Sequence, residues 1–131
     1  MSTLDDQSKS ELADAWIAAQ KQGQNNATAI QTLIDLSYQD PELCWDIVEL
    51  IHSKDISDDE RGSLAAGPLE DLLVYHPLQF FPRVKALAAR DSKFKGMLGG
   101  VCLDGNDSPI WRDFYEVAGA EPQFPPGWDK K

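Results

Sequence analysis

Leu64-Ala65-Ala66-Gly67-Pro68-Leu69-Glu70-Asp71-Leu72-Leu73 sets a Gly-Pro pair between two helix-forming halves and follows it with two carboxylates. A proline inside a helix removes one backbone hydrogen bond and presses its ring on the preceding turn, at a cost of about 3 kcal/mol. Two geometries avoid most of that cost. In the first, one helix ends near Ala66 and another starts at Pro68, with Gly67 at the junction. Glu70 and Asp71 then occupy the positive end of the new helix. In the second, one helix continues through a kink and a carbonyl near Leu64 needs another partner. Arg61 and Arg83 are the candidate internal partners for the two carboxylates.

The flanking sequence carries the same helical signature. Leu12, Ala15, Trp16 and Ala19 repeat at helical spacing, and Ser8 or Ser10 can cap that segment. Gly23 ends it. Asn26 is a good cap for a second helix bearing Ile30, Leu33, Ile34 and Tyr38. Asp40-Pro41-Glu42 is a strong start signal, because a capping carboxylate precedes a first-turn proline. Leu43, Cys44, Ile47, Val48, Leu50 and Ile51 then form an apolar face broad enough for a central helix packed on two sides. Ser57 and Glu60 fit a capping box.

Further along, Pro77 is expected to end a helix and Pro82 to open the next. Asp91 or Ser92 caps a segment with Phe94, Met97, Leu98 and Val101. Ser108-Pro109 starts the last helix, through Trp111, Phe114, Tyr115 and Val117, and Gly119 stops it. No stretch alternates apolar and polar residues as a strand does. The expected fold is all-α, an irregular array of stacked helical hairpins resembling an α-solenoid, with about six to seven helices. Residues 1–131 read as a single helical domain, with a flexible arm over 1–7 and an extended tail over 120–131.

A chain of 131 residues can bury most of its apolar surface without metals or disulfides. Cys44 and Cys102 read as buried thiols of a reducing cytoplasm. The polar N-terminus lacks the pattern of a secretory leader, and no run approaches the roughly 18 apolar residues needed to span a bilayer. A cytoplasmic location is expected. The net charge is −10, so phosphate backbones are repelled and direct nucleic-acid binding is disfavoured, whereas a basic protein partner is attracted.

Leu64 to Leu73, Phe81-Pro82-Arg83-Val84-Lys85-Ala86-Leu87-Ala88, Asp91 to Phe94 and Ile110-Trp111 together resemble an uncharacterised bacterial family of small helical proteins, a domain of unknown function. Its signature is similar to Ala-Ala-Gly-Pro-Leu-Glu-Asp-Leu-Leu. The resemblance spans about residues 40 to 118. It implies a helical fold and one domain, and no activity.

His52 and His76 are not spaced as ligands on one helix, and no Cys-x-x-Cys, His-Glu-x-x-His or calcium-loop pattern occurs. Asp104-Gly105-Asn106-Asp107 reads as a polar turn. No Gly-x-Ser-x-Gly is present. No catalytic, cofactor-binding or metal-ligating residue is therefore assigned, and no cofactor is expected. Acids crowd the chain from Asp35 to Asp71, and bases crowd it from Arg83 to Lys95. The expected function is a non-enzymatic protein–protein interaction module, in its narrower form a bacterial immunity or antitoxin-type protein that presents an acidic face to a basic partner. The expected contact residues are Trp45, Asp46, Glu49, Asp58, Asp59, Glu70 and Asp71, with Trp45 as an exposed hot spot ringed by carboxylates. The alternatives are a nucleic-acid mimic, or an enzyme using Glu70 and Asp71 as a carboxylate pair.

Overall fold

The computed structural model describes residues 5–22, 27–103 and 108–119. Among these the chain forms seven helices and no strand. They are α1 (Asp6–Gln22), α2 (Ala27–Gln39), α3 (Pro41–Ser53), α4 (58–75), α5 (Pro77–Arg90), α6 (Ser92–Met97) and α7 (Trp111–Ala118). A 3₁₀ turn, Leu98–Gly100, extends α6. The expected tail over 120–131, the Asn26 cap and the turn over 104–107 lie outside the described residues.

Local chemistry sets most helix ends. The Asp40 side chain accepts from the Leu43 N–H at 3.2 Å, with Pro41 in the first turn of α3. Ser57 and Glu60 complete the capping box of α4 in both directions. Asp91 accepts from the Phe94 N–H at 3.0 Å and starts α6. Gly119 ends α7 at φ 67°, a left-handed conformation that favours glycine. The first helix departs from expectation. It starts at Asp6, inside the stretch read as an arm, and its cap is Asp5, which accepts from the Ser8 N–H at 2.7 Å. The Ser8 and Ser10 hydroxyls are not the cap.

The Gly67-Pro68 stretch is neither a junction nor a simple kink. α4 runs through it as Asp58–Leu64, a π turn Ala65–Leu69, and Glu70–Tyr75. The widened turn sends the Glu70 N–H back to the Ala65 carbonyl. It relieves the crowding between the proline ring and the preceding turn, and it absorbs the missing N–H of Pro68. Glu70 and Asp71 consequently lie within a helix and gain nothing from a helix start. The expected end before Pro77 holds, since α4 stops at Tyr75, but Pro82 does not open the next helix. Pro77 opens α5 after a non-helical His76, and Pro82 sits inside that helix. Pro82 and Leu78 are both exposed, so water can take the hydrogen bond of the Leu78 carbonyl.

One core receives side chains from every helix. Its fully buried members include Trp16, Leu33, Ile47, Leu69, Phe80 and Phe114. α3 buries Leu43, Cys44, Trp45, Ile47, Val48, Ile51 and His52, and it touches α1, α2 and α4. That breadth is what its apolar face requires. Ala65, Pro68 and Leu69 of the π turn are buried against α2, α3 and the 3₁₀ turn. Segment 101–103 is held from two sides. The Tyr115 hydroxyl donates to the Val101 carbonyl at 3.0 Å and accepts from the Leu103 N–H at 3.1 Å. The Glu70 carboxylate accepts from the Cys102 N–H at 2.8 Å. Cys44 is buried, whereas Cys102 is exposed rather than part of the core, and no disulfide joins them. No helix of the described residues is long and apolar enough to cross a membrane.

Gly100 packs where the 3₁₀ turn meets α4. A Cβ there would lie 3.2 Å from the Ala65 Cβ and 3.4 Å from the Gly62 carbonyl oxygen. Gly62 itself, inside α4, faces open space. Gly100→Ala should therefore destabilise the protein by about 1 kcal/mol through overpacking. Gly62→Ala should stabilise it by about 0.4–1 kcal/mol through helix preference. Urea denaturation of the two variants would show midpoints moving in opposite directions.

Candidate functional site

The seven expected contact residues separate along the fold. Trp45 is buried, 5% exposed, and points into the core. Its ring lies 5.9 Å from that of Phe80 and meets Phe94 edge-on at 6.3 Å. The exposed tryptophan expected from the sequence is thus a packing residue, because α3 needs its whole broad face to join neighbouring helices. Asp46 is tied to Lys9 at 3.0 Å. Glu49 is half-buried on the same helix. Asp58 and Asp59 are exposed in the first turn of α4, where the helix dipole favours carboxylates. Glu70 is occupied by the Cys102 N–H. Burial pushes its carboxyl upward, against the pull of that hydrogen bond.

Neither arginine pairs with Glu70 or Asp71. Arg61 donates to the Ile56 carbonyl at 3.2 Å. Arg83 grips Glu42 with both terminal nitrogens at 2.7 Å. Asp71 is half-buried, and burial pushes its carboxyl above the usual carboxylate range.

A different group of side chains is gathered. Among the described residues, the large apolar side chains left exposed are Tyr38, Val74, Tyr75 and Leu78. Three of these flank the α4–α5 corner, and the fourth touches it from α2. The Tyr38 and Tyr75 rings meet at a tilt of 42°, centroids 4.5 Å apart, and their hydroxyls share a hydrogen bond of 2.9 Å. That bond, aided by partial burial, raises the Tyr75 phenol above its ordinary value. His76 fixes the corner by donating from Nε2 to the Ser37 carbonyl at 2.8 Å, which clamps the end of α2 to the turn between α4 and α5. Phe80 packs edge-on against the same imidazole at 6.1 Å. The tyrosine pair is therefore held by buried structure behind it.

Carboxylates frame the pair. Asp71 precedes Tyr75 by one helical turn, and Asp35 precedes Tyr38 by nearly one. Asp35 accepts from the Gln31 side chain at 3.0 Å and stays exposed. Paired tyrosines beside carboxylates can take an aliphatic chain that ends in a cation, through ring-face attraction and charge together. Helical periodicity placed Tyr38 on an apolar face, but nothing local in the sequence reveals that this end of α2 outruns its cover. Among the described residues, no three of His, Cys, Asp and Glu come together as metal ligands.

The model of a family of unknown function, DUF6869, matches residues 18–120, and the chain belongs to that family. No curated protein and no solved structure matches it.

Asp71 supplies a direct check on the corner. Its carboxyl is raised in the folded state, so folding penalises the charged form. The penalty is complete at neutral pH and disappears as pH falls through the raised value toward the unfolded value of about 3.9. Asp71→Asn should therefore raise the thermal midpoint at pH 7, and the gain should vanish by about pH 3.5. A thermal series across pH with both proteins measures it.

Proposed function

We propose that the protein is a non-enzymatic interaction module whose α4–α5 corner docks a basic protein partner. The observation that carries this reading is the concentration of exposed large apolar side chains on one corner, beside two carboxylates. Scattered apolar residues are ordinary on any surface, but a rigid aromatic cluster is a favourable anchor. Tyrosine suits the role because it brings area and a polar tip with little rotamer entropy to lose. The net charge of −10 supports a basic partner, since it accelerates encounter and rejects acidic competitors. The narrower form of the proposal is a bacterial immunity or antitoxin-type protein acting in the cytoplasm. A gene for a small basic toxin beside that of this chain would support it.

The test is affinity capture from the native cell, followed by titration of the identified partner. Tyr38→Ala and Tyr75→Ala should each weaken binding by about 30-fold, corresponding to roughly 2 kcal/mol at an aromatic anchor. Glu116→Lys, an exposed change on α7, should have little effect beyond a salt-dependent change in association rate. Unchanged affinity in the Tyr38→Ala/Tyr75→Ala double variant overturns the reading.

A further inference from the structure

A second feature lies apart from the corner, where the end of α3 and the start of α4 face the α5–α6 connection. A cleft of about 560 Å³ opens there, and His52, Arg61, Asp91 and Lys93 line it. The His52 side chain is only 9% exposed. Its Nε2 lies 3.0 Å from Asp91 Oδ2 and its ring meets Phe94 edge-on at 5.4 Å. Asp91 is fixed in turn by capping α6, and its other oxygen accepts from the Phe94 N–H. That backbone bond, followed by the bond to His52, holds the Asp91 carboxyl below its usual range. An ionised carboxylate only accepts, so Nε2 carries its hydrogen and donates.

His52 Nδ1 is buried without a partner, and so is Arg61 Nε. Buried polar atoms are nearly always paired, because an unpaired one forfeits its hydration and receives nothing in return. Here two of them belong to residues lining one cleft. A guanidinium N–H requires an acceptor. Nδ1 requires a donor while the ring is neutral and an acceptor once the ring is an imidazolium.

We propose that this cleft binds a small ligand through an oxyanion, a carboxylate or a phosphate-type group, held between Arg61 and protonated His52. The oxyanion supplies the acceptor that both nitrogens lack. Asp91, oriented by its cap, keeps the imidazolium in place from the opposite side. Lys93 adds a cation from α6. Lys54, at the end of α3, is already engaged with Asp14 at 3.1 Å and Ser10 at 3.0 Å. Glu49 and Asp55 also line the cleft and oppose an anion. With Lys54 committed to Asp14, the acids Glu49, Asp55 and Asp91 face the cations Arg61 and Lys93, and the proton on His52 brings the cleft to charge balance so that an anion can enter. No residue of the α4–α5 corner takes part, and the site stands or falls separately from the proposed docking function.

The test is a nuclear magnetic resonance titration of the full chain with inorganic sulfate, and separately with acetate. Both are followed at the Arg61 Nε–H and the His52 ring, at about pH 5.5 and about pH 8. Saturable shifts confined to the cleft, at least about tenfold tighter at the lower pH for one probe, are expected. Preference for sulfate identifies a phosphate-type ligand, and preference for acetate a carboxylate. Arg61→Gln should weaken the preferred probe by about tenfold, the loss of one charge-assisted contact. Lys93→Ala, exposed and tolerant of change, should weaken it less while the fold is kept. No saturable shift with either probe overturns the proposal, as does equal affinity at the two pH values.

Discussion

The π turn at Ala65–Leu69 is the constraint on which the rest of the fold depends. A regular α-helix cannot carry Pro68 at its centre without losing a bond and crowding the turn before it. One wider turn removes both problems and keeps the axis continuous. It also rotates everything after it relative to everything before it. The first half of α4 therefore offers Ala65 and the Gly62 carbonyl to Gly100. The second half offers Glu70 to Cys102 and Tyr75 to Tyr38. A straight α-helix of the same length would set those two groups of contacts in a different angular relation.

Signals confined to three or four residues were legible in the sequence. Asp40 with Pro41, Ser57 with Glu60, Asp91 and Gly119 all act where the chain alone suggests, because a cap satisfies its own turn. The helical class and the breadth of the α3 face were legible for the same reason, since periodicity is local. Pro68 and Pro82 were not. Pro68 and Pro82 look like boundaries by propensity, and packing or solvent exposure keeps both inside helices. The candidate site was less legible still. Trp45 and Tyr38 both sit on the apolar faces of helices, and only the arrangement of neighbouring helices buries one and leaves the other half exposed. His52 and Asp91 are far apart in the chain, so their pairing belongs to the tertiary structure alone.

The charge pattern also changes meaning in three dimensions. In the sequence the acids from Asp35 to Asp71 form an almost unbroken block. In the fold Glu42 meets Arg83, Asp46 meets Lys9, and Lys54, inside that block, turns back to Asp14. These surface pairs stabilise little and are screened by salt. Their role is chiefly one of alignment, because each joins helices distant in sequence. Pairing also trims the acidic surface selectively. The first turn of α4 keeps its carboxylates for the helix dipole, and Asp71 sits half-buried one turn before Tyr75, where burial pushes its carboxyl upward.

Arg61 and Tyr75 lie on the same helix, 14 positions apart by their numbers, which places the cleft and the aromatic corner about 21 Å from each other along its axis. Coupling between such sites needs an element with two arrangements of different energy. The π turn between them is the obvious place to look for one, since sliding the widened turn by a residue would rotate Tyr75 away from Tyr38. Pro68 opposes that slide. Moving the wide turn off the proline restores the crowding that the turn exists to relieve, at a cost of about 3 kcal/mol, and would leave the alternative register at under about 1%. Pro68 thus makes α4 a fixed spacer. On the two proposals above, an oxyanion at Arg61 and a protein at Tyr75 would bind without excluding each other, coupled only through long-range charge, which salt removes.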